Sequence, residues 1–374
     1  MANNKKPNTR MLILARESRG ITQQDLAKKL GVTQGWLSRI EGGLRSVQKE
    51  DLMKFSEMLN YPPEFFFLED KVYGPGLSEL FHRKRQSVQN KLITTIYAQI
   101  GIRSLHIQRL LNGVNIGTVY IKHVELDDFE GNPADIARVV RASWRLPKGP
   151  IQNLVNVIED ARGIIIPFDF NSASIDAISH WQPELPPLFF INKFTPMDRV
   201  RFTLSHELGH IIMHQSYVNA DIEHQADQFA AEFLMPEKEI RPYLADLSLE
   251  KLATLKQYWH VSMNALLHRA SDLGEITPRH ARTLWTQLGK AGYRTREPRE
   301  LDVPREKPSL LNEILQTYLV DMKYSVKELA RYLCLFEHEI RNTYITSDRL
   351  ALETDKKAAI KEAERIISDF HKNT

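Results

Sequence analysis

Residues 199–214, RVRFTLSHELGHIIMH, restrict the possible folds more than any other segment of the chain. Their apolar members recur at helical spacing, which predicts a helix with one buried side. On another side His206 and His210 lie one turn apart, where two imidazoles can bind one zinc ion. Glu207 lies about 100° further round the helix, close enough to take a proton from a metal-bound water without being a ligand. The alternative is an amphipathic helix with two incidental histidines.

A second helix is predicted at residues 221–235, DIEHQADQFAAEFLM, and ends before a proline. Glu223 and Asp227 are four residues apart and therefore share one face, while alanines keep another face small enough to pack closely on the first helix. This spacing suits a zinc site in which Glu223 is the third ligand and Asp227 accepts the Nδ1 hydrogen of a ligand histidine. Two rivals for the third ligand remain, His214 and His224.

The first 50 residues carry a local excess of positive charge, with ten Lys and Arg against four Asp and Glu, or +6, although the whole chain is nearly balanced at +3. An excess of this kind is typical of a surface that faces phosphates. Thr22 is predicted to cap a helix that ends at Gly31, and Thr33 to cap the next helix. Two short helices joined by a glycine turn predict a helix-turn-helix.

The segment ITQQDLAKKLGVTQGWLSRIEGGLRSVQKEDLMKFSEMLNY resembles the phage-repressor-like (Xre/Cro) helix-turn-helix family over about 60 residues. The resemblance implies double-stranded DNA as partner, with the second helix of the pair in the major groove. Four outward residues then become candidates for reading bases: Gln34, Gly35, Ser38 and Arg39. Gln23 and Gln24, at a helix N-terminus, are expected to contact phosphate. The alternative is a protein-binding or dimerising module with the same fold.

The pair DRVRFTLSHELGHIIMH and EHQADQFAAEFLMP resembles the ImmA/IrrE (M78) zinc metallopeptidases over roughly residues 130–290. The resemblance implies a gluzincin-type endopeptidase, with Zn²⁺ as cofactor and Mn²⁺ as a possible substitute. It also implies limited proteolysis of a helix-turn-helix repressor, which relieves repression of mobile-element, phage or stress genes. Many family members carry Asn where this chain has Asp227, and an Asp can accept the same hydrogen bond. His180, His214 and Tyr217 are candidates for a second oxyanion stabiliser.

These patterns predict a multidomain, mainly α protein with an α+β zincin-like core. Short apolar strands at residues 163–168, 177–179 and 187–192 form a small central sheet that leads into the His206 helix. The predicted order is a flexible arm (1–8), a helix-turn-helix domain (9–70), a helical connector (71–130), the peptidase domain (131–290), a charged linker or extended arm (291–308) and a C-terminal helical region (309–374). Within the last, YSVKELARYLCLFEHEIRNTY is also similar to a helix-turn-helix, with an ordinary helical packing module as the alternative.

The cellular setting is predicted to be cytoplasmic. The single cysteine, Cys334, has no partner for an internal disulfide, the N-terminus lacks a signal peptide, and no segment has the roughly 20 apolar residues of a membrane span.

The sequence therefore predicts a DNA-binding regulator, expected to be a homodimer, whose zinc peptidase cleaves a repressor-type protein or the chain itself. One alternative is a transcription factor with a non-catalytic zinc sensor or dimerisation scaffold. Another is an antitoxin-like regulator.

Overall fold

The computed structural model of the protein describes residues 6–69, 90–214 and 221–345. Helices predominate, and one three-stranded sheet lies in the middle of the chain, which confirms the predicted mainly α, multidomain fold. Contacts divide the described residues into two units. The first contains residues 6–69, 105–114 and 312–345, and the second contains most of the rest. Most of the predicted arm, part of the predicted connector and the end of the C-terminal region fall outside the described residues.

The N-terminal helices are α1 (Thr9–Ser18), α2 (Gln23–Leu30), α3 (Gln34–Glu41) and α4 (Lys49–Leu59), followed by a 3₁₀ turn at Pro63–Phe67. In this domain, α2 begins and ends, and α3 begins, where the capping residues predict. The hydroxyl of Thr22 accepts the Asp25 N–H, and Gly31 ends α2 in the left-handed region with φ 69°. Glycine adopts this conformation at no steric cost, so the turn holds α2 and α3 at a fixed angle.

A buried ion pair joins the first and third of these helices. The Arg16 guanidinium on α1 donates to both carboxylate oxygens of Glu41 at the end of α3, at 2.7 and 3.1 Å. Bidentate geometry of this kind fixes orientation as well as distance. The pair therefore sets the position of α3, the helix that presents the predicted base-reading residues.

The C-terminal helices of the first unit repeat the same turn. They are α14 (Leu310–Gln316), which continues into a π-helical turn at Thr317–Asp321, α15 (Val326–Tyr332) and α16 (Glu337–Thr343). In the chain they come after α5 (Asn90–Gly113) and after the helices of the second unit, α6 to α13 (residues 133–290). Cys334 takes the left-handed conformation, with φ 53°, that Gly31 has in the first motif. The Leu335 N–H donates to the Ala330 carbonyl at 2.9 Å, as the Val32 N–H donates to the Ala27 carbonyl at 3.0 Å.

This second helix-turn-helix contacts the N-terminal helices α1 and α4 at their C-terminal ends through a carboxylate. Glu339 on α16 lies 3.0 Å from the Arg19 guanidinium and accepts a hydrogen bond from the Asn60 side chain at 2.5 Å. Arg19 follows α1 and Asn60 follows α4. The side of α16 that carries Glu339 thus packs within this unit, so the segment has a helix-turn-helix shape and also serves as a packing module.

The second unit contains the sheet and the long helix of the HELGH motif. In chain order its elements are α6 (Pro133–Ser143), α7 (Leu154–Asp160), β1 (Ile164–Phe168), β2 (Ala177–His180), β3 (Leu188–Asn192), α8 (Met197–Met213), α9 (Ile222–Leu234), the one-turn α10 (Glu237–Ile240), α11 (Leu249–Trp259), α12 (Met263–Asp272) and α13 (Pro278–Lys290).

The sheet places its antiparallel edge strand against α8. The strand order is β1-β3-β2, with β1 parallel to β3 and β2 antiparallel to it. In the register of β2 and β3, Ser179 lies opposite Phe189 and His180 opposite Leu188. Every residue of β2 and β3 is buried, because the sheet is covered by helices. β2 is therefore the strand from which side chains and backbone groups reach the HELGH helix.

The segment 291–308, predicted to be a linker or extended arm, is fixed to the second unit. Buried Glu297 pairs with Lys256 at 2.7 Å, and buried Glu306 pairs with Arg201 and accepts the Val155 N–H at 2.8 Å. Two buried carboxylates with charged partners are costly to expose. The segment is an extended arm held to the domain, because Glu297 and Glu306 neutralise buried cations, while most of its other charged side chains are exposed.

Candidate metal centre

Two helices bring three potential metal ligands together. His206 and His210 project from α8 with their Nε2 atoms 2.9 Å apart, and Glu223 projects from α9. The Glu223 carboxylate lies 3.3 Å from Nε2 of His210 and 3.8 Å from Nε2 of His206. The ligand atoms of these three residues all lie within 4.8 Å of one another, and among the described residues they form the one cluster of this kind.

The spacing fits a tetrahedral zinc ion. Zinc binds imidazole nitrogen and carboxylate oxygen at about 2.0–2.2 Å, so neighbouring ligand atoms in a tetrahedron are separated by about 3.3 Å. Two separations lie within about 0.4 Å of that value, from Nε2 of His210 to Nε2 of His206 and to Oε1 of Glu223; His206 lies 3.8 Å from the other oxygen, Oε2. Two nitrogens and one oxygen also form the donor set of a catalytic zinc site, in which the fourth position stays open.

Close packing of α8 on α9 makes this approach possible. Gly209 stands between the two histidines, and a Cβ there would lie 3.1 Å from the Phe229 ring of α9. A contact this short forces the ring or the helix to move. Glycine at this position therefore lets the helices approach closely enough for Glu223 to reach the histidines, and the fully buried Ala226 and Ala230 do the same from α9.

Asp227 orients the first histidine. The Nδ1–H of His206 donates to the Asp227 carboxylate at 2.7 Å. This hydrogen bond leaves the lone pair on Nε2, the atom that faces His210 and Glu223. Burial lowers the pKa of His206, but the hydrogen bond to Asp227 and the negative charges of Glu207, Asp227 and Glu223 outweigh it, so the net pKa is raised.

His214 contacts His210 at Nδ1, the ring nitrogen that does not face the ligand cluster. The Nδ1 atoms of His210 and His214 are 3.0 Å apart, and Nε2 of His214 lies 3.0 Å from the Gln225 side-chain oxygen on α9. Burial, followed by the positive charge of a protonated His210, lowers the pKa of His214 to about 4, so this ring is neutral at pH 7. His214 thus lies behind a candidate ligand, and the rival His224 is exposed; neither belongs to the cluster.

Glu207 lies beside the cluster and is held by the edge strand. Its Oε2 accepts the Ser179 backbone N–H at 2.9 Å and the Ser179 hydroxyl at 2.5 Å. The carboxylate is buried, with the residue 2% exposed. Two donors on one oxygen hold the carboxylate in place. The sequence did not point to Ser179, because 28 residues separate the pair. Its place on one of the strands before the motif helix is the signal that the sequence offers.

Two family models match separate parts of the chain. One, described as helix-turn-helix, matches residues 12–66, and the other, described as the IrrE N-terminal-like domain of the M78 peptidases, matches residues 161–271. The chain joins a helix-turn-helix domain to an M78-type peptidase domain. The second match contains both motif helices and all three strands. A search of curated proteins found no match.

The M78-type domain contains another buried histidine, next to Ser179 in β2. His180 ends β2, and its Nε2 lies 2.5 Å from the Gln182 side-chain nitrogen. Burial lowers its pKa to about 4, so it is neutral at pH 7. A role as oxyanion stabiliser stays a prediction for His180. His214 is directed at His210, and Tyr217 lies outside the described residues.

In the helix-turn-helix domain, the predicted base-reading residues share an exposed face. Gln34, Gly35, Ser38 and Arg39 are all exposed on α3, and Gln24 is exposed at the start of α2. Gln23 is held by protein contacts: it donates to Glu41 at 3.0 Å and accepts from Gln34 at 3.3 Å. Gln23 thereby links the starts of α2 and α3, and its phosphate contact stays a prediction.

Trp36, the large aromatic residue of α3, is half-buried. Its ring centroid lies 6.3 Å from that of Phe55, and the Arg45 guanidinium lies over the Trp36 ring, 5.4 Å from its centroid. The ring thus belongs largely to the packing of the domain.

Among residues 6–69, 90–214 and 221–345, no helix combines the length and the apolar character needed to cross a lipid bilayer.

Proposed function

We propose that this protein is a DNA-binding transcriptional regulator whose M78-type domain is a zinc-dependent endopeptidase. The proposed substrate is a repressor-type protein, cleaved at a limited number of sites either in trans or in the chain itself. The observation that carries the proposal is Glu207: a buried carboxylate beside, but outside, a cluster of three ligands. A purely structural zinc site needs neither such a base nor an open fourth position.

The proposed reaction is hydrolysis of a peptide bond. A zinc ion held by His206, His210 and Glu223 would lower the pKa of its water towards 7 and polarise the scissile carbonyl. Glu207 would accept the proton of the attacking water and then deliver it to the leaving amine nitrogen. Ser179 would keep the carboxylate aligned during both transfers, because it donates two hydrogen bonds to Oε2.

Substrate backbone is proposed to bind along β2. This strand is an edge of the sheet and contacts the Glu207 carboxylate through Ser179, so an extended peptide added beside it would pass close to the ligand cluster. The outward N–H of Ser179 is already used by Glu207.

The helix-turn-helix domain supports DNA binding and gives the peptidase a regulatory setting. We propose that the operator is bound by a homodimer, that the protein acts in the cytoplasm, and that cleavage relieves repression of mobile-element, phage or stress genes.

The test is incubation of the purified full-length protein, loaded with zinc or manganese, with repressors from its own locus. Glu207→Gln is expected to bind zinc as the wild type does and to cleave roughly 10²–10⁴-fold more slowly, because the general base is lost. Glu250→Gln, an exposed carboxylate on α11, is the matched control and should cleave normally. Equal cleavage by the Glu207 variant would contradict the assignment. Sequence-specific DNA binding without cleavage under any condition would favour a zinc sensor.

A further inference from the structure

Three buried side chains form a hydrogen-bonded chain behind one of the candidate ligands. It runs from His210 through His214 to Gln225, with the Nδ1 atoms of the two histidines 3.0 Å apart and Nε2 of His214 at 3.0 Å from the Gln225 oxygen. All three residues are at least nine-tenths buried. The chain crosses from α8 back to α9, the helix that carries Glu223.

The order of donors along this chain follows from its last member. The Gln225 oxygen can only accept, so Nε2 of His214 must carry the hydrogen that lies between them. Nδ1 of a neutral His214 then has a lone pair, and it can only accept from Nδ1–H of His210. Nε2 of His210 is left as the unprotonated atom, and this is the nitrogen that lies beside His206 and Glu223.

The opposite order of hydrogen-bond donors would prevent His210 from binding a metal ion. If the Gln225 amide donated to His214, the hydrogen of His214 would lie on Nδ1, and His210 would carry its own hydrogen on Nε2. An imidazole nitrogen that bears a hydrogen cannot bind a metal ion. The amide orientation at Gln225 therefore decides whether His210 is ready to bind.

We propose that His214 and Gln225 are positioning residues that hold His210 in its metal-binding tautomer, as Asp227 does for His206. The inference rests on the proposed metal site and extends it. One helix, α9, would then supply the anionic ligand and the hydrogen-bond acceptors that orient both histidines. Glu223, Gln225 and Asp227 are spaced two residues apart, so a small shift of α9 would disturb all three together.

The test is a zinc titration of the full-length protein against a chromogenic chelator. Loss of a hydrogen-bonding partner of a ligand typically weakens metal affinity about 10–100-fold, and we expect a loss in that range for His214→Leu and a smaller loss for Gln225→Leu. His214→Asn should retain most of the affinity, because its side-chain oxygen can accept from Nδ1–H of His210. Gln225→Glu should retain it because a carboxylate can only accept. His224→Leu is the matched control, since His224 is exposed on the same helix.

A second measurement separates tautomer control from packing. Nitrogen-15 NMR of the zinc-loaded wild type should show the hydrogen of His214 on Nε2, whereas a hydrogen on Nδ1 would overturn the inference even if a variant failed to fold. Zinc affinities of His214→Leu and Gln225→Leu within twofold of the wild type would overturn it as well. So would equal losses in the leucine, asparagine and glutamate variants, which indicate packing alone. A wild-type protein that binds no zinc would instead refute the metal site on which the inference rests.

Discussion

Buried His180 makes the stability of the M78-type domain sensitive to mild acid. Burial lowers its pKa from the ordinary value of 6.5 to about 4. Between these two values the unfolded chain binds a proton that the folded domain does not bind. Acidification therefore favours the unfolded chain. The stability associated with neutral His180 is fully present above pH 6.5 and is lost as the pH falls towards about 4.

The size of the effect follows from the two pKa values. A difference from 6.5 to about 4 corresponds to about 3 kcal/mol in the free energy of unfolding when the pH is low enough to protonate both states. At pH 5 most of the unfolded chain and little of the folded domain is protonated at this residue. The expected loss between pH 7.5 and pH 5 is therefore about 2 kcal/mol.

The assay is urea unfolding of metal-free protein at pH 7.5 and pH 5, compared between the wild type and His180→Gln. The variant cannot titrate at this position, so its unfolding free energy should fall by about 2 kcal/mol less than that of the wild type. His214, whose pKa is also lowered, contributes to both proteins and cancels in the comparison. His224→Gln should follow the wild type, because its side chain is exposed. Parallel losses in His180→Gln and the wild type, within about 0.5 kcal/mol, would refute the reasoning, since a difference this small lies within the error of the extrapolation to water.

Two further predictions address the metal site and the DNA-binding face. Asp227→Ala should weaken zinc binding about 10–100-fold, because His206 loses its orienting acceptor, while Asp227→Asn should lose less affinity. Chelator competition measures both affinities, and an unchanged zinc affinity in Asp227→Ala would contradict an orienting role for Asp227. Arg39→Ala should reduce affinity for DNA sequences selected by the wild type by about 1–3 kcal/mol in fluorescence anisotropy, and the control Arg279→Ala, in the other unit, should not. If Arg39→Ala binds the selected and random DNA as the wild type does, α3 does not read the operator through this side chain.

The elements of this protein could be predicted from sequence because their signals are local. Thr22 and Gly31 bound α2 through hydrogen bonds and a backbone conformation that involve only neighbouring residues. The same is true of the capping box of Ser325 and Glu328 at the start of α15. His206 and His210 share a helix, so their four-residue spacing was sufficient to place their rings together.

The site required contacts between elements that are distant in the chain. Glu223 meets the histidines only because Gly209 lets α9 pack closely on α8, and Ser179 reaches Glu207 only because β2 is the edge strand on that side of the sheet. Gln225 had no sequence signal at all. A buried amide is informative only when its hydrogen-bond partner is known, and that partner is a histidine on another helix.

The contacts of the extended arm could not be predicted from the sequence either. Its charged, proline-rich composition is typical of an exposed linker, yet Glu297 and Glu306 are buried against Lys256 and Arg201. Composition describes how a segment interacts with water, and it carries no information about a buried cation 41 or 105 residues away. The sequence by itself determined the helices, the strands, the two domain types and the pair of histidines, because hydrogen bonds and side-chain periodicity act within a few residues. The tertiary structure decided which carboxylates, hydroxyls and amides surround those histidines, because that depends on how whole elements pack.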